Sequence, residues 1–71
     1  MSSRLVEYHL ERLKNKNPEI RLKSISELRL LADPQALEPL EQVYRTDSEP
    51  EVRKAAQEAG LEIFLKNKPK K

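Results

Sequence analysis

His9 is the only imidazole in a chain of 71 residues that has no cysteine, so acid–base or metal chemistry would have to run through it or through carboxylates. It stands among Glu7, Tyr8 and Glu11, with no second histidine or thiolate to complete a metal site, and a solvent-facing or half-buried surface histidine accounts for it. Glu38 and Glu41, and Glu58 and Glu62, fall at helical spacing on one face. No burial pattern sets one of these carboxylates apart from its neighbour, as a general acid and base would need, so they read as solvated surface charge. The single glycine leaves no glycine-rich phosphate loop, and no Gly-x-Ser-x-Gly occurs. The expectation is a protein that is not an enzyme and has neither metal nor cofactor.

Charge is the other candidate chemistry. The chain is net +2, but Lys66, Lys68, Lys70 and Lys71 supply four of its 14 basic residues, and residues 1–65 set the remaining ten against twelve Asp/Glu. The body is therefore net negative, and the segment 66–71 reads as a basic, disordered tail. Four lysines with no interleaved aromatic or arginine give at most a nonspecific, salt-sensitive attraction to nucleic acid or an anionic membrane. The absence of cysteine favours a reducing compartment, and no apolar run reaches signal-peptide or membrane-spanning length, so a cytoplasmic protein is expected.

The elements that position these residues show in a repeat. Asn17-Pro18-Glu19-Ile20-Arg21 returns 32 residues later as Glu49-Pro50-Glu51-Val52-Arg53, and a period of this length marks a helical solenoid. Apolar spacing predicts four helices. The first runs from Ser3 to Asn15 with Leu5, Tyr8 or His9, Leu10 and Leu13 inward. The second is capped by Asn17, has Pro18 in its first turn, and turns Ile20, Leu28 and Leu31 inward with Ser24 between them. The third opens on Asp33-Pro34 and carries Leu37, Leu40, Val43 and Tyr44. The fourth starts from a capping box, Ser48-Glu49-Pro50-Glu51, buries Val52, Ala56, Ala59 and Ile63, and frays near Asn67. Connections of two or three residues force consecutive helices to be antiparallel, which gives two stacked helical hairpins in one all-α domain, residues 1–65. A chain this short buries only about 60% of its unfolded surface, so its core is thin.

Two segments carry a resemblance. Asp33-Pro34-Gln35-Ala36-Leu37-Glu38-Pro39-Leu40, then Asp47-Ser48-Glu49-Pro50-Glu51-Val52-Arg53-Lys54-Ala55-Ala56, closely resembles the HEAT repeat, and the short period resembles the phycobilisome-lyase-type HEAT-like subtype. The resemblance implies a short α-solenoid in which Pro34 and Pro39 shape the first helix of a repeat. It also implies that Asp47 and Arg53 hydrogen-bond, tying the turn to the helix and to the neighbouring repeat. Residues 34–65 match well, whereas residues 3–32 form a degraded copy. Asn15 stands where the aspartate would be, Ser24 and Glu27 replace small apolar residues, and Gly60 stands where the first copy has Leu28.

Second helices line the concave face of such stacks, where the family binds partners. Leu22, Arg29 and Leu30 on the second helix and Lys54, Leu61 and Leu65 on the fourth project away from the core stripe, and Phe64 extends the apolar surface at the C-terminal end. These side chains either thicken a thin core, pair two copies of the chain, pack on the returning tail, or dock a partner. The expected function is a protein-interaction module, an adaptor or assembly factor of a larger complex. The subtype also suggests an accessory of a light-harvesting complex, and the lysine tail a weak electrostatic binder.

Overall fold

The computed structural model describes residues 3–68. They form α1 (Ser3–Arg12), α2 (Pro18–Leu31), a short 3-10 turn (Pro34–Ala36), α3 (Leu37–Thr46) and α4 (Pro50–Lys66). The architecture is the expected one: α1 packs on α2, α3 packs on α4, and α2 lies against α4 to join the hairpins. Among the described residues there is no strand.

Helix starts follow local chemistry. Asn17 caps α2, its side chain accepting from the Glu19 N–H at 2.9 Å, and Pro18 sits where a missing N–H costs nothing. Asp33 repeats this on the Gln35 N–H at 2.9 Å. The third helix does not run on from Pro34 as an α-helix, however. Such a helix would need the residue 39 N–H to reach the Gln35 carbonyl, and Pro39 has none to give. The chain therefore makes a 3-10 turn, and α3 begins at Leu37 with Pro39 in its first turn. The capping box at Ser48 does not form either. The N-cap of α4 is Glu49, with no side-chain cap bond, and the Glu49 N–H donates instead to Asp47 Oδ1 at 2.9 Å.

Helix ends differ from the expected ones in two places. α1 stops at Arg12, and the chain tightens through bonds from the Leu13, Lys14 and Asn15 amides to the Leu10, Glu11 and Arg12 carbonyls. α2 ends on Ala32 in the left-handed conformation at φ 53°, its N–H on the Leu28 carbonyl. A residue with a Cβ is strained there. α4 runs a turn longer than α2 and ends with the Asn67 side-chain amide donating to the Ala32 carbonyl at 2.9 Å. The segment expected as a basic tail thus begins in a helix, Lys66 being its last residue; Pro69, Lys70 and Lys71 lie outside the described residues.

The core is Val6, Leu13, Ile25, Leu28, Ala36, Leu40, Val52, Ala56, Ala59 and Ile63. The α4 stripe is as the spacing predicts. In α1 the buried position is Val6, with Leu5 and Tyr8 turned out to solvent, and Leu13 is buried just past the end of the helix. In α2 they are Arg21, Ser24, Ile25 and Leu28, while Ile20 and Leu31 are half-buried. A stripe chosen for hydrophobicity alone passes over a buried arginine. Of the α3 set, Leu40 is buried, Leu37 and Val43 pack on the core half-buried, and Tyr44 is exposed.

Candidate functional site

The turn between α3 and α4 gathers the strongest polar contacts of the described residues. The Asp47 carboxylate is gripped by both ends of one guanidinium edge, Arg21 Nε donating to Oδ2 at 2.7 Å and Nη2 to Oδ1 at 2.8 Å. Both side chains are buried, at 11% and 6% exposure. The remaining Arg21 nitrogen, Nη1, donates to the Asn15 and Lys16 carbonyls at 2.7 and 3.1 Å. One side chain of the first repeat thereby ties its own turn to the turn of the second. Fork geometry of this kind is why arginine is used where a planar carboxylate must be held. Burial pushes the Asp47 carboxyl up, but hydrogen bonds from Arg21 and the Glu49 amide, with the charges of Arg21 and Arg53, outweigh it and hold it below its ordinary value.

The expected Asp47–Arg53 contact is present in a different form. Arg53 Nη1 donates to the Asp47 backbone carbonyl at 2.7 Å, and the carboxylate belongs to Arg21. Arg53 ties turn to helix, and Arg21 ties repeat to repeat. The signal for Arg21 was in the sequence, since it is the counterpart of Arg53 in the repeated segment. Like Arg53 it sends Nη1 to the backbone carbonyl of its own turn, and its Nε and Nη2 edge goes to the carboxylate of the next repeat.

Three open grooves flank this frame. One, of about 340 Å³, runs between α3 and α4 and is lined by Leu37, Tyr44, Gly60, Leu61 and Phe64 among others. Tyr44, Leu61 and Phe64 are 42%, 59% and 53% exposed. A second, of about 200 Å³, lies between α2 and α4 and includes Leu22, Arg29, Ala55 and Glu58. Arg29 there faces Glu62 across the helix pair at 3.6 Å, and Lys66 reaches the same carboxylate at 3.5 Å. A third, of about 380 Å³, lies between α1 and α3, with Leu10, Leu13, Pro39 and Val43 in its wall.

The residues singled out for partner binding therefore fall on separate surfaces. Leu61 and Phe64 share the α3–α4 groove, and Leu22 and Arg29 share the α2–α4 groove. Leu30, Lys54 and Leu65 are exposed but line neither. The described residues hold no cluster of three or more side chains suited to a metal, and none of their helices is long and apolar enough to cross a membrane.

A family model for HEAT repeats matches residues 2–59, most of the chain. The chain belongs to the HEAT repeat family. This HEAT protein has no match among the curated proteins or the solved structures. Its family match and its two stacked hairpins agree on the architecture. HEAT repeats generally mediate protein–protein contact, which directs attention to the faces that the stack leaves open.

Proposed function

We propose that this HEAT protein is a non-catalytic docking module, an adaptor or assembly factor that binds another protein or protein complex in the cytoplasm. The observation that carries this reading is the α3–α4 groove. Leu61 and Phe64 are more than half exposed on a protein in which 37% of residues are charged, beside Leu37 and Tyr44 from the facing helix. A contiguous apolar groove at the end of a repeat stack, where a closing repeat is normally polar, suits a partner surface. Leu22 and Arg29 in the smaller α2–α4 groove offer a more polar secondary contact, and Leu30 and Lys54 are exposed elsewhere on the same second helices.

The test is capture of a complex from the native lysate with the intact chain and with Leu61→Lys/Phe64→Ser. A stoichiometric partner lost in the variant supports the docking reading; retention of every partner by the folded variant defeats it. Two further readings are tested alongside. The 32-residue period and Pro39-Leu40 suggest a phycobilisome-type accessory, for which a bilin absorbance change on mixing is the expected sign. The basic C-terminal segment suggests attraction to anionic surfaces, although Lys66 is drawn to Glu62; heparin retention that falls with salt and with deletion of 66–71 is its sign.

A further inference from the structure

The two arginines of the repeat are equivalent in position but not in occupancy. Each uses Nη1 on the carbonyl of its own turn, Arg21 on Asn15 and Arg53 on Asp47. The turns match as well: Asn15 Oδ1 accepts from the Asn17 N–H at 2.8 Å as Asp47 Oδ1 accepts from the Glu49 N–H at 2.9 Å. Arg21 then offers its Nε and Nη2 edge to the carboxylate of the next repeat. The corresponding edge of half-buried Arg53 makes no hydrogen bond or ion pair among the described residues.

Helix register says where that edge looks. At 100° per residue, the α4 side chains that face α2 (Ala55, Glu58, Ala59, Glu62) and those of the α3–α4 groove (Gln57, Gly60, Leu61, Phe64) lie on opposite sides of the helix. Arg53 falls on the groove side. Its neighbours there, Gln57 and Gly60, are the 32-residue counterparts of Ile25 and Leu28, which the second repeat buries in the first. The apolar weight has moved along the helix to Leu61 and Phe64, but the face is the one that receives the next layer.

We propose that the outer face of the α3–α4 hairpin docks one further helical hairpin repeat, supplied by a different protein chain, whose turn carboxylate binds the Nε and Nη2 edge of Arg53 while its apolar side chains fill the groove of Leu37, Tyr44, Leu61 and Phe64. The proposal rests on the protein-docking reading and names the partner's chemistry. The free fork selects a carboxylate, and the Arg21–Asp47 pair supplies the geometry. A second copy of this chain is the wrong occupant. Its corresponding turn residue is Asn15, whose Nδ2 is a donor, and its α2 carries exposed Lys23 and Glu27 where α4 has Ala55 and Ala59 packed at the repeat junction.

These differences define a probe made from the chain itself. The triple variant Asn15→Asp, Lys23→Ala, Glu27→Ala gives the first repeat the turn carboxylate and small helix face of the second. In sedimentation the parent protein should remain a monomer, whereas the triple variant should associate head to tail. Adding Arg53→Met should weaken that association about tenfold or more, as loss of a charge-assisted pair does. Arg53→Lys, which keeps the charge without the fork, should weaken it too and guards against a folding defect, checked by helical circular dichroism. A triple variant that stays monomeric, association indifferent to Arg53, or dimerisation of the parent through Phe64 would each overturn the proposal. Where the natural complex is lost with Leu61→Lys/Phe64→Ser but kept with folded Arg53→Met, protein docking stands and the hairpin carboxylate falls.

Discussion

Replacing Arg21 by methionine keeps an apolar stem in place but strands the Asp47 carboxylate in the junction between repeats. Breaking a buried pair from one side costs about 3–5 kcal/mol, against a total stability of about 4–10 kcal/mol for a domain of this size. Arg21→Met should therefore unfold at far lower urea than Arg53→Met, which loses one charge-assisted bond to a carbonyl, about 1.5 kcal/mol; equal midpoints would mean the inter-repeat pair contributes little. The pair also sets a pH dependence. Because the folded carboxyl of Asp47 lies below its ordinary value of 3.8, its contribution is complete above that value and is lost as pH falls through the depressed one. Between pH 7 and pH 2 the stability gap between the parent and Asp47→Asn should close only below pH 3.8, and a gap already closed at pH 5 would contradict the pairing. Ser24 works in the opposite direction. Its Oγ is buried without a hydrogen-bond partner, and the second repeat has Ala56 at the matching position. Ser24→Ala should raise stability by about 1 kcal/mol, read as a higher thermal midpoint.

At the scale of elements, the helices were readable wherever apolar spacing and capping chemistry pointed the same way. α4 is the clearest case, since Val52, Ala56, Ala59 and Ile63 all turn inward, and Asn17 and Asp33 cap where their side chains suggest. The misreadings have physical causes. Pro39 splits the third helix from its 3-10 turn, Pro50 in the first helical position sets the cap of α4 at Glu49 rather than Ser48, and the α2 stripe follows a buried arginine that hydrophobicity does not mark. Val6 rather than Leu5 faces the core because the α1 stripe must meet both α2 and the 3-10 turn. Gly60 is legible in both sequence and structure. It sits inside α4 with an ordinary φ, and a Cβ added there would meet nothing within 4 Å. Its conformational freedom serves no turn, so Gly60→Ala should stabilise the fold by about 1 kcal/mol in urea unfolding, and destabilisation would show that the groove is tighter than this geometry.

The whole molecule is an asymmetric stack, about 40 × 24 × 15 Å. One end carries Tyr8, Arg12, Lys23 and Glu27 around a groove of about 410 Å³, a more polar face. The other carries Leu37, Tyr44, Leu61 and Phe64. That polarity follows from the sequence through the degraded first repeat, but which apolar side chains would stay exposed could not be settled by a helical wheel, because a thin core can borrow them. The docking account requires that the stack does not depend on this open face for its own stability. Leu61 and Phe64 are both more than half exposed, and neither substitution loses much helix propensity. The decisive measurement is equilibrium urea unfolding of Leu61→Lys/Phe64→Ser beside the parent chain. A free face predicts a loss within about 1 kcal/mol, two surface substitutions at about 0.5 kcal/mol each. A loss of several kcal/mol in the monomer would show that these side chains close the end of the stack, and the partner would have to be sought along α2 and α4 instead.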